Sequence, residues 1–486
     1  MMDVSSMASS GPYLLILLVI SVIFIILLSS KANIHPFLAI VAAAYLFGFG
    51  ANIIGLVMFN EPIISNLTEV MTSGVGSIVA SIGLVIIFGT IIGKYLEKTG
   101  AAVTMGELIL KWTGDRYPAL SMSIIGWIVS IPVFCDSGYV MLSSLSKTVA
   151  KKSNINVIVP SVSLATGLYA SHTFVPPTPG PIAAAGNVGI EATGLIWVIL
   201  FGSFVSLITM FAGYFWAIKF TKNLPVELAD MEETFEDYKA SFKSIPTPLQ
   251  AFGPILIPII LMTLGSLANF PVGTLPDGSE ELMFSGTLYT IFNFTGDPNN
   301  ALFIGVITAF LLLLKHTEKG ASMDWVGEGM RDAAIIIMLA GAGSAFGTVI
   351  AETPIADYIK LILDGNALFV GPGALFILFI IAALLKTAQG GSTTALIVTS
   401  TISMPLLPTL GLDGMMGSIP VGQVLAVMAI GAGSMAVSHV NDSYFWVVAQ
   451  FSGMSVKTAY KAQTMATLVQ GIVGITVTFI LGLIFL

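Results

Sequence analysis

The sequence predicts an all-α polytopic membrane protein with two inverted-topology repeats, each containing a re-entrant helical hairpin and a broken transmembrane helix. Three observations support this fold class. Hydrophobic residues make up 55% of the chain and charged residues only 9%, whereas about 25% of the residues of a typical soluble domain are charged. Short strings of residues recur in the same order in both halves. Lys and Arg are concentrated in a few loops between long uncharged segments.

The first predicted transmembrane helix covers residues 11–30. This segment has no charged residue and is long enough, at about 1.5 Å per residue, to cross a hydrocarbon core of about 30 Å. Asp3 precedes it and Lys31 follows it, so the positive-inside rule places the N-terminus outside. The segment lacks the basic flank of a cleaved signal peptide, and we expect it to remain as an anchor.

Basic residues assign most of the remaining loops to one side of the membrane. Clusters of Lys and Arg lie in segments 94–116, 219–243 and 315–331, which we expect to face the cytoplasm. Residues 269–300 contain four acidic residues and no Lys or Arg. We expect this loop to face outwards.

Repeated strings divide the chain into two membrane repeats, residues 1–218 and 250–486, joined by an acidic cytoplasmic linker at 219–249. The matching strings are Phe88–Ile92 with Phe346–Ile350 and Tyr169–His172 with Ala436–His439. The first repeat starts outside and the second starts inside, so the two should lie in opposite orientations across the membrane. Many secondary transporters have this inverted-repeat plan.

Each repeat contains two apolar segments that are interrupted by polar or helix-breaking residues. The predicted hairpins lie near 118–150 and 384–408, and the predicted broken helices lie near 155–190 and 423–451. Basic residues at both ends of the first hairpin favour entry and return on the cytoplasmic side, with the turn near Asp136, and the second hairpin should enter from the opposite side. Non-helical backbone is tolerated at membrane depth only where it is buried in protein or lines a cavity. We therefore expect the two tips and the two breaks to meet near the midplane.

Glycine and hydroxyl residues at these tips are typical of an anion-binding turn. Glycine permits a tight turn, Ser and Thr cap the helix that follows, and the free N–H groups at the helix start attract an anion. The same small residues also occur where transmembrane helices pack together. The predicted substrate-binding residues are Asp136, Ser137, Gly138, Ser171, His172, Thr178, Gln389, Gly390, Gly391, Ser392, Thr393, Asn441 and Ser443.

Ionisable residues in the interrupted segments are candidates for ion coupling, because a charge at the bilayer centre costs roughly 2.5 to 3.5 kcal/mol on insertion scales. Asp442, His439 and Asp136 are the predicted proton-coupling residues, since a buried carboxyl group or an imidazole can bind and release a proton. In the alternative interpretation, Asp442 caps the helix that begins at Ser443 and each histidine satisfies an unwound carbonyl group. Lys386 either joins this set or extends to the membrane interface.

Several functions are disfavoured by what the sequence lacks. It contains no two-histidine metal motif, no Gly-x-Ser-x-Gly elbow and no phosphate-binding loop, so we predict no catalytic residue, no metal, no cofactor and no enzyme activity. A passive anion channel is disfavoured because no ring of basic residues is evident. The lipid bilayer is an expected partner and nucleic acid is not.

Three strings resemble signature regions of the gluconate permease family of bacterial symporters, within the wider ion transporter superfamily. They are HVNDSYFWVV at 439–448, LLKTAQGGSTTA at 384–395 and FVPPTPGPIAAAGN at 174–187. The resemblance covers most of the chain. It implies import of a sugar acid or similar hydroxy-carboxylate together with protons across the bacterial cytoplasmic (inner) membrane, a homodimer, and an elevator movement of a transport domain against a scaffold.

The chain differs from the pattern of that family at three positions. Thr178 stands where the gluconate importers tend to have a second histidine, Lys386 where they have an arginine, and Asp136 near where they have a glutamate or an asparagine. The substrate therefore stays open between gluconate, another aldonate or uronate, a smaller hydroxy acid and a zwitterion such as D-serine. Our prediction is proton symport of a small organic acid anion, with sodium coupling or D-serine-type amino acid:proton symport as alternatives.

In this prediction the hairpin tips hold the carboxylate of the anion and the helix breaks hold its hydroxyl groups. Ser137, Ser392 and Thr393 are assigned to the carboxylate, because their hydroxyls lie beside free N–H groups. The hydroxyls of the substrate are assigned to Asn441, Ser443 and Thr178.

Overall fold

A computed structural model describes residues 9–486 except 33, 114–116, 192–193, 227–238, 241, 243, 270, 275–279, 318–319, 364–368, 418 and 441. The predicted helical membrane fold is confirmed. The only strands in the described ranges are β1, Pro271–Thr274, and β2, Glu280–Leu282. They pair antiparallel, with Thr274 opposite Glu280, in the acidic loop that the sequence predicted to face outwards.

The first half of the chain forms nine helices within the described residues. They are α1 Gly11–Ser30, α2 Pro36–Phe59, α3 Leu67–Lys98, α4 Ala101–Thr113, α5 Pro118–Val129, α6 Cys135–Lys152, α7 Ile158–Phe174, α8 Pro179–Asn187 and α9 Leu195–Phe220. Proline stands in the first turn of several of them, including α2, α5 and α8. A proline at this position is compatible with the helix because the first N–H groups have no partner within it.

The second half repeats this order of elements. Its helices are α10 Pro248–Ala268, α11 Gly286–Gly296, α12 Pro298–Leu313, α13 Ala321–Ala351, α14 Ile355–Leu363, α15 Ala374–Gln389, α16 Ser392–Ser403, α17 Val421–Met435, α18 Ser443–Phe451 and α19 Val456–Phe485. Helix α11 and the β-hairpin have no counterpart among the described residues of the first half. A π-helical turn, Tyr460–Thr464, interrupts α19.

Seven helices in the described segments are long and apolar enough to cross a membrane, and the number is eight if α3, which is bent by 43°, is counted as one span. The seven are α2, α9, α10, α12, α13, α15 and α19. The chain is therefore a multi-pass membrane protein.

Helices α3 and α13 are equivalent in the two halves and pack against each other along their length. Lys94, near the end of α3, lies 3.1 Å from Asp332 near the start of α13. Towards the other end, a Cβ on Gly74 would lie 2.8 Å from the Cα of Ala345. The two helices therefore run antiparallel, as inverted repeats require.

The two hairpins and the two broken helices form the interior of the molecule. The hairpins are α5 with α6 and α15 with α16, and the broken helices are α7 with α8 and α17 with α18. The second hairpin begins at Ala374, earlier than expected, because Lys386 marks its buried tip and not a membrane surface. Across the pseudo-twofold axis α6 packs against α18, and α16 packs against α8.

Only one of these two crossings rests on the α3 and α13 pair. Helix α8 packs against both α3 and α13, and α16 packs against α13. Within the described part of the chain, α6 and α18 make no comparable contacts with α3 or α13. The inner helices are thus placed asymmetrically against the long antiparallel pair.

Candidate functional site

A buried ion pair joins the second hairpin to the second helix break. Lys386 is fully buried in the last turn of α15, and Asp442, the residue before α18, is only 4% exposed. The Nζ of Lys386 lies 2.5 Å from Oδ2 of Asp442 and also donates to the carbonyl oxygen of Gly390. Lys386 therefore does not extend to the membrane interface, because its charge is neutralised inside the protein.

Asp442 also caps α18, as one interpretation of the sequence predicted. Its Oδ1 accepts a hydrogen bond of 3.1 Å from the backbone N–H of Tyr444. The hydroxyl of Ser438 donates to Oδ2 over 2.5 Å. Asp442 is thus held by hydrogen bonds from an ammonium group, a hydroxyl and the N-terminus of a helix.

Helix α19 hydrogen-bonds the non-helical backbone of the second break. Thr464, in the π-helical turn, donates to the carbonyl oxygen of Ser438 over 2.5 Å, and the N–H of Ser438 donates to Thr467 over 3.0 Å. Val437 has a φ of 55°, which is uncommon for a β-branched residue. Single π-helical turns occur frequently at functional sites, and this one positions the residue that hydrogen-bonds Asp442.

His439 connects the break to the hairpin. Its Nε2 lies 2.8 Å from the carbonyl oxygen of Thr387 in the last turn of α15. The contact joins the non-helical break to the C-terminal turn of α15. One interpretation of the sequence assigned an unwound carbonyl group to each histidine, whereas the carbonyl beside His439 belongs to the last turn of a helix.

Asp136 lies where the first hairpin tip meets the second break. It occupies the first turn of α6 and is partly buried. The hydroxyl of Ser443 donates to its Oδ1 over 3.3 Å, and the thiol of Cys135 lies 3.5 Å from Oδ2. No ion pair involves Asp136 among the described residues. Asp136 and Asp442 therefore belong to one cluster, but only Asp442 has a basic partner.

Aromatic rings form a wall beside the ion pair. The Nζ of Lys386 lies 5.7 Å from the centre of the Tyr169 ring, which stacks on Tyr444 at 5.0 Å and on His172 at 6.4 Å. Nδ1 of His172 is buried and has no hydrogen-bond partner in the described residues. The hydroxyl of Ser171 donates within its own helix to Leu168 over 3.4 Å, so nothing directs it towards this cluster.

The matched strings that end in the two histidines fall at different places. Ser171 and His172 lie in the last turns of α7, whereas Ser438 and His439 lie in the non-helical break between α17 and α18. The residues at equivalent positions are instead Thr178 and Asp442, the N-cap residues of α8 and α18.

The second group of predicted residues lies where α8 crosses α16. The hydroxyl of Thr178 donates to the carbonyl oxygen of Val175 over 2.5 Å, and a Cβ on Gly180 would lie 3.6 Å from Oγ1 of Thr393. Gly390, with a φ of 86°, ends α15, and Gly391 precedes Ser392 at the start of α16. Both polar atoms of the Gln389 amide are buried without a partner in the described segments.

The predicted residues therefore form two groups. Asp136, Ser137, Gly138, His439, Asp442 and Ser443 lie at the α6 and α18 crossing, and Thr178, Gln389, Gly390, Gly391, Ser392 and Thr393 lie around α8 and α16. Asn441 lies outside the described residues.

Ser438, Tyr169 and Tyr444 were not selected from the sequence, and Lys386 was not chosen as a binding residue. The sequence could have indicated a role for Lys386, because it is the only Lys or Arg between residues 361 and 456.

Re-entrant hairpins and broken helices that meet inside a multi-pass membrane protein define the class of secondary transporters. The chain belongs to the GntP permease family, because the model of the GntP family permease matches residues 13–484. It is a permease and not an enzyme, and the resemblance to the gluconate permease family is confirmed.

Relatives and a solved structure are similar over almost the whole chain. The D-serine transporter DsdX of Escherichia coli (strain K12) is 28% identical over 96% of this chain and 98% of its own. A gluconate permease of Pseudomonas aeruginosa is 27% identical over 98% of this chain and 99% of its own. The YdaH transporter of Alcanivorax borkumensis superposes with a TM-score of 0.62 at 16% identity, covering 92% of this chain and 98% of that one, which supports the fold alone.

Proposed function

We propose that this permease imports a small organic acid anion by proton symport. One observation carries the proposal. Asp136 is a partly buried carboxylate without an ion-pair partner in the described structure, and it contacts Ser443 where a hairpin tip meets a broken helix. A buried charge must be neutralised, and binding of a proton together with the substrate achieves this.

The anion's carboxylate is assigned to the second hairpin tip. Helix α16 starts at Ser392 with free N–H groups and a positive dipole end. The neighbouring Gln389 amide has no partner among the described residues and supplies further hydrogen-bonding groups. Thr393 lies on the same turn, so a carboxylate there would be bound by several neutral donors.

The hydroxyls of the substrate are assigned to the residues around the breaks. Ser443 is exposed and therefore accessible at the α6 and α18 crossing. Ser137, which the sequence analysis assigned to the carboxylate, is partly exposed at the same crossing and is assigned instead to a hydroxyl of the substrate. Thr178 lies at the other break and is buried, beside the second tip. Asn441 belongs to this set as a proposal from the sequence.

Asp136 is the preferred proton carrier of the three predicted residues. Asp442 is already neutralised by Lys386, and its removal from that pair would leave a buried ammonium unpaired. His439 is engaged with the carbonyl oxygen of Thr387. Proton exchange at Asp136 requires breaking only the long contacts to Ser443 and Cys135.

Orientation and assembly follow from the sequence and form part of the proposal. The basic ends of α3 and α9 are assigned to the cytoplasm of a bacterium, with the N-terminus outside. Residues 1–218 and 250–486 are the two repeats, and 219–249 is a cytoplasmic linker. A homodimer is proposed from the family resemblance.

An amino acid is the second candidate substrate, and the same carboxylate favours it. An unpaired Asp136 would neutralise the ammonium group of a zwitterion directly, while the second tip would bind its carboxylate. The relative named as a D-serine transporter supports this candidate, and the relative named as a gluconate permease supports the first.

Uptake into proteoliposomes tests the proposal. Sugar acids, short hydroxy acids, D-serine and neutral sugars are supplied outside vesicles with an alkaline interior, in sodium or in choline buffer. We expect accumulation of one acid or amino acid that a protonophore abolishes and that does not require sodium. Sodium-dependent accumulation would contradict proton coupling, and flux that only equilibrates would identify a channel.

A further inference from the structure

The geometry points to a tethered cation: the ammonium group of Lys386 occupies the position of an alkali-metal ion at the second helix break. This inference rests on the proposed function and extends it, because a lysine that fills the cation position explains why transport would not need a bound Na⁺ at this break. It concerns the ligands around Lys386, which can be tested without any transport measurement.

The partners of Lys386 are those that an alkali-metal ion takes in broken-helix transporters. Carbonyl oxygens at half-helix C-terminal ends and in unwound backbone coordinate Na⁺ in such sites. Here the C-terminal carbonyl is that of Gly390, which ends α15, and the anionic ligand is Oδ2 of Asp442 at 2.5 Å. The hydroxyl of Ser438 lies on the same carboxylate oxygen. A hard cation in place of Nζ would find oxygen ligands on two elements.

The ammonium is enclosed on its remaining side. Lys386 has no exposed surface, and the ring of Tyr169 lies 5.7 Å from Nζ, within the range of a cation–π interaction. A lysine that served only to reach solvent would expose its ammonium group. The side chain instead delivers its charge to the carboxylate that caps α18.

Tethering the cation has a consequence for coupling. A free ion enters and leaves this position with the state of the transporter, whereas Lys386 is attached to α15 and stays. The charge of Asp442 is then balanced throughout the cycle. Asp136 is then the carboxylate in this cluster that has no fixed cation, so a proton or a substrate cation must balance its charge.

The test is to remove the tether and offer free cations. Lys386→Ala leaves a buried carboxylate and a carbonyl oxygen facing an empty space, which Na⁺ or methylammonium can enter and choline, which is larger, cannot. Thermal unfolding of purified protein is compared in sodium, potassium, methylammonium and choline chloride at equal ionic strength. Lys386→Gln, which fills more of the space, is measured in parallel in case Lys386→Ala does not fold.

We expect the wild-type protein to unfold at the same temperature in all four salts. Lys386→Ala should unfold at a temperature roughly 3 °C higher in sodium or methylammonium than in choline. The double variant Lys386→Ala/Asp442→Asn should lose this difference, because the anionic ligand is gone. Lys457→Ala removes an exposed lysine of α19 that precedes the π-helical turn and should behave as the wild type does.

Two results would overturn the inference. One is a sodium-specific stabilisation of the wild type that Asp442→Asn abolishes, since an ion would then bind beside the lysine. The other is the absence of any response to small cations in both Lys386→Ala and Lys386→Gln. Neither result depends on substrate or on a proton gradient, so failure of proton symport in vesicles would be recognised separately.

Discussion

The two crossings of half-helices are related by the same pseudo-twofold axis, yet they differ in chemistry. At the α8 and α16 crossing, the buried Nδ2 of Asn187 lies 2.9 to 3.2 Å from oxygens of Ile397, Ser400 and Thr401, which share its two N–H donors. At the α6 and α18 crossing, the buried hydroxyls of Tyr139 and Ser452 lie 2.5 Å apart, but at the other end Asp136 and Ser443 share one contact of 3.3 Å and Ser443 is exposed. The first crossing is neutral and buried, and the second is charged and accessible at one end.

The two repeats therefore share the same arrangement of half-helices but differ in the side chains at the two crossings. Thr178 and Asp442 are equivalent N-cap residues, but only Asp442 carries a charge and a buried basic partner. The neutral crossing rests against α3 and α13. In the proposed function, the charged crossing, which is free of that packing, binds the proton, and the tip of α16 beside the neutral crossing binds the carboxylate of the substrate.

The largest effect that the comparison predicts comes from the two N-cap residues. Asp442→Asn leaves Lys386 buried without its anion and should lower the free energy of unfolding by about 3 to 5 kcal/mol. Thr178→Val removes one short-range hydrogen bond and should lower it by about 1 kcal/mol. Unfolding of both purified variants measures the difference.

A partial recovery in Lys386→Met/Asp442→Leu would support this explanation, because the double variant buries no unpaired charge. Equal losses in Asp442→Asn and Thr178→Val would show that the two breaks are energetically equivalent after all.

The next largest effect on stability is expected from the hydrogen bonds of Asn187 at the neutral crossing. Asn187→Ala removes the two N–H donors that three buried oxygens of α16 share, which should lower the free energy of unfolding by about 1 to 3 kcal/mol. Ser443→Ala, the matched change at the charged crossing, removes one contact to an exposed hydroxyl and should alter stability by less than about 1 kcal/mol. Chemical or thermal unfolding distinguishes the two. A larger loss in Ser443→Ala would reverse the assignment of buried and accessible crossings.

Repeated glycines on α3 and α13 give a finer test. A Cβ on Gly347 would lie 2.7 Å from the carbonyl oxygen of Thr401 on α16, and one on Gly89 would lie 3.1 Å from that of Pro177 in the first break. Gly347→Ala should therefore destabilise the protein by about 1 to 2 kcal/mol, and Gly89→Ala by less. Gly76→Ala on α3, where a Cβ would have no neighbour within 4 Å, is the control. If all three variants unfold alike, close approach does not explain the repeated string.

These glycines also show what sequence could and could not provide. The repeated string around Gly89 and Gly347 correctly indicated a duplicated element, because close helix contacts require a residue without a side chain. The positions of tips and breaks were predicted from glycine, proline and polar residues, which act locally. The histidine strings were misleading about equivalence, since they share only their final Ser and His, and so short a match can occur by chance within different turns.

The partner of Lys386 could not be predicted, because Asp442 is 56 residues away in sequence and contact between such segments depends on the packing of the whole interior. Without that partner, an isolated lysine in an apolar segment has two explanations, a membrane surface or a buried function. The choice determined where the second hairpin was placed. Its start was therefore predicted too late in the chain.

The smallest effect on stability is expected at Asp136, and it is the most informative about function. Asp136 has no ion-pair partner in the described residues and only long contacts to Ser443 and Cys135, so Asp136→Asn should change the free energy of unfolding by less than about 1 kcal/mol.

If protonation of Asp136 accompanies binding of an acid, the wild type should bind it more tightly as the pH falls. Asp136→Asn, which mimics the protonated form, should bind it with an affinity that does not depend on pH. Isothermal titration at several pH values tests both statements. For an amino acid substrate the outcome differs, because Asp136→Asn would then lose the anion that neutralises the ammonium group and would weaken binding at every pH.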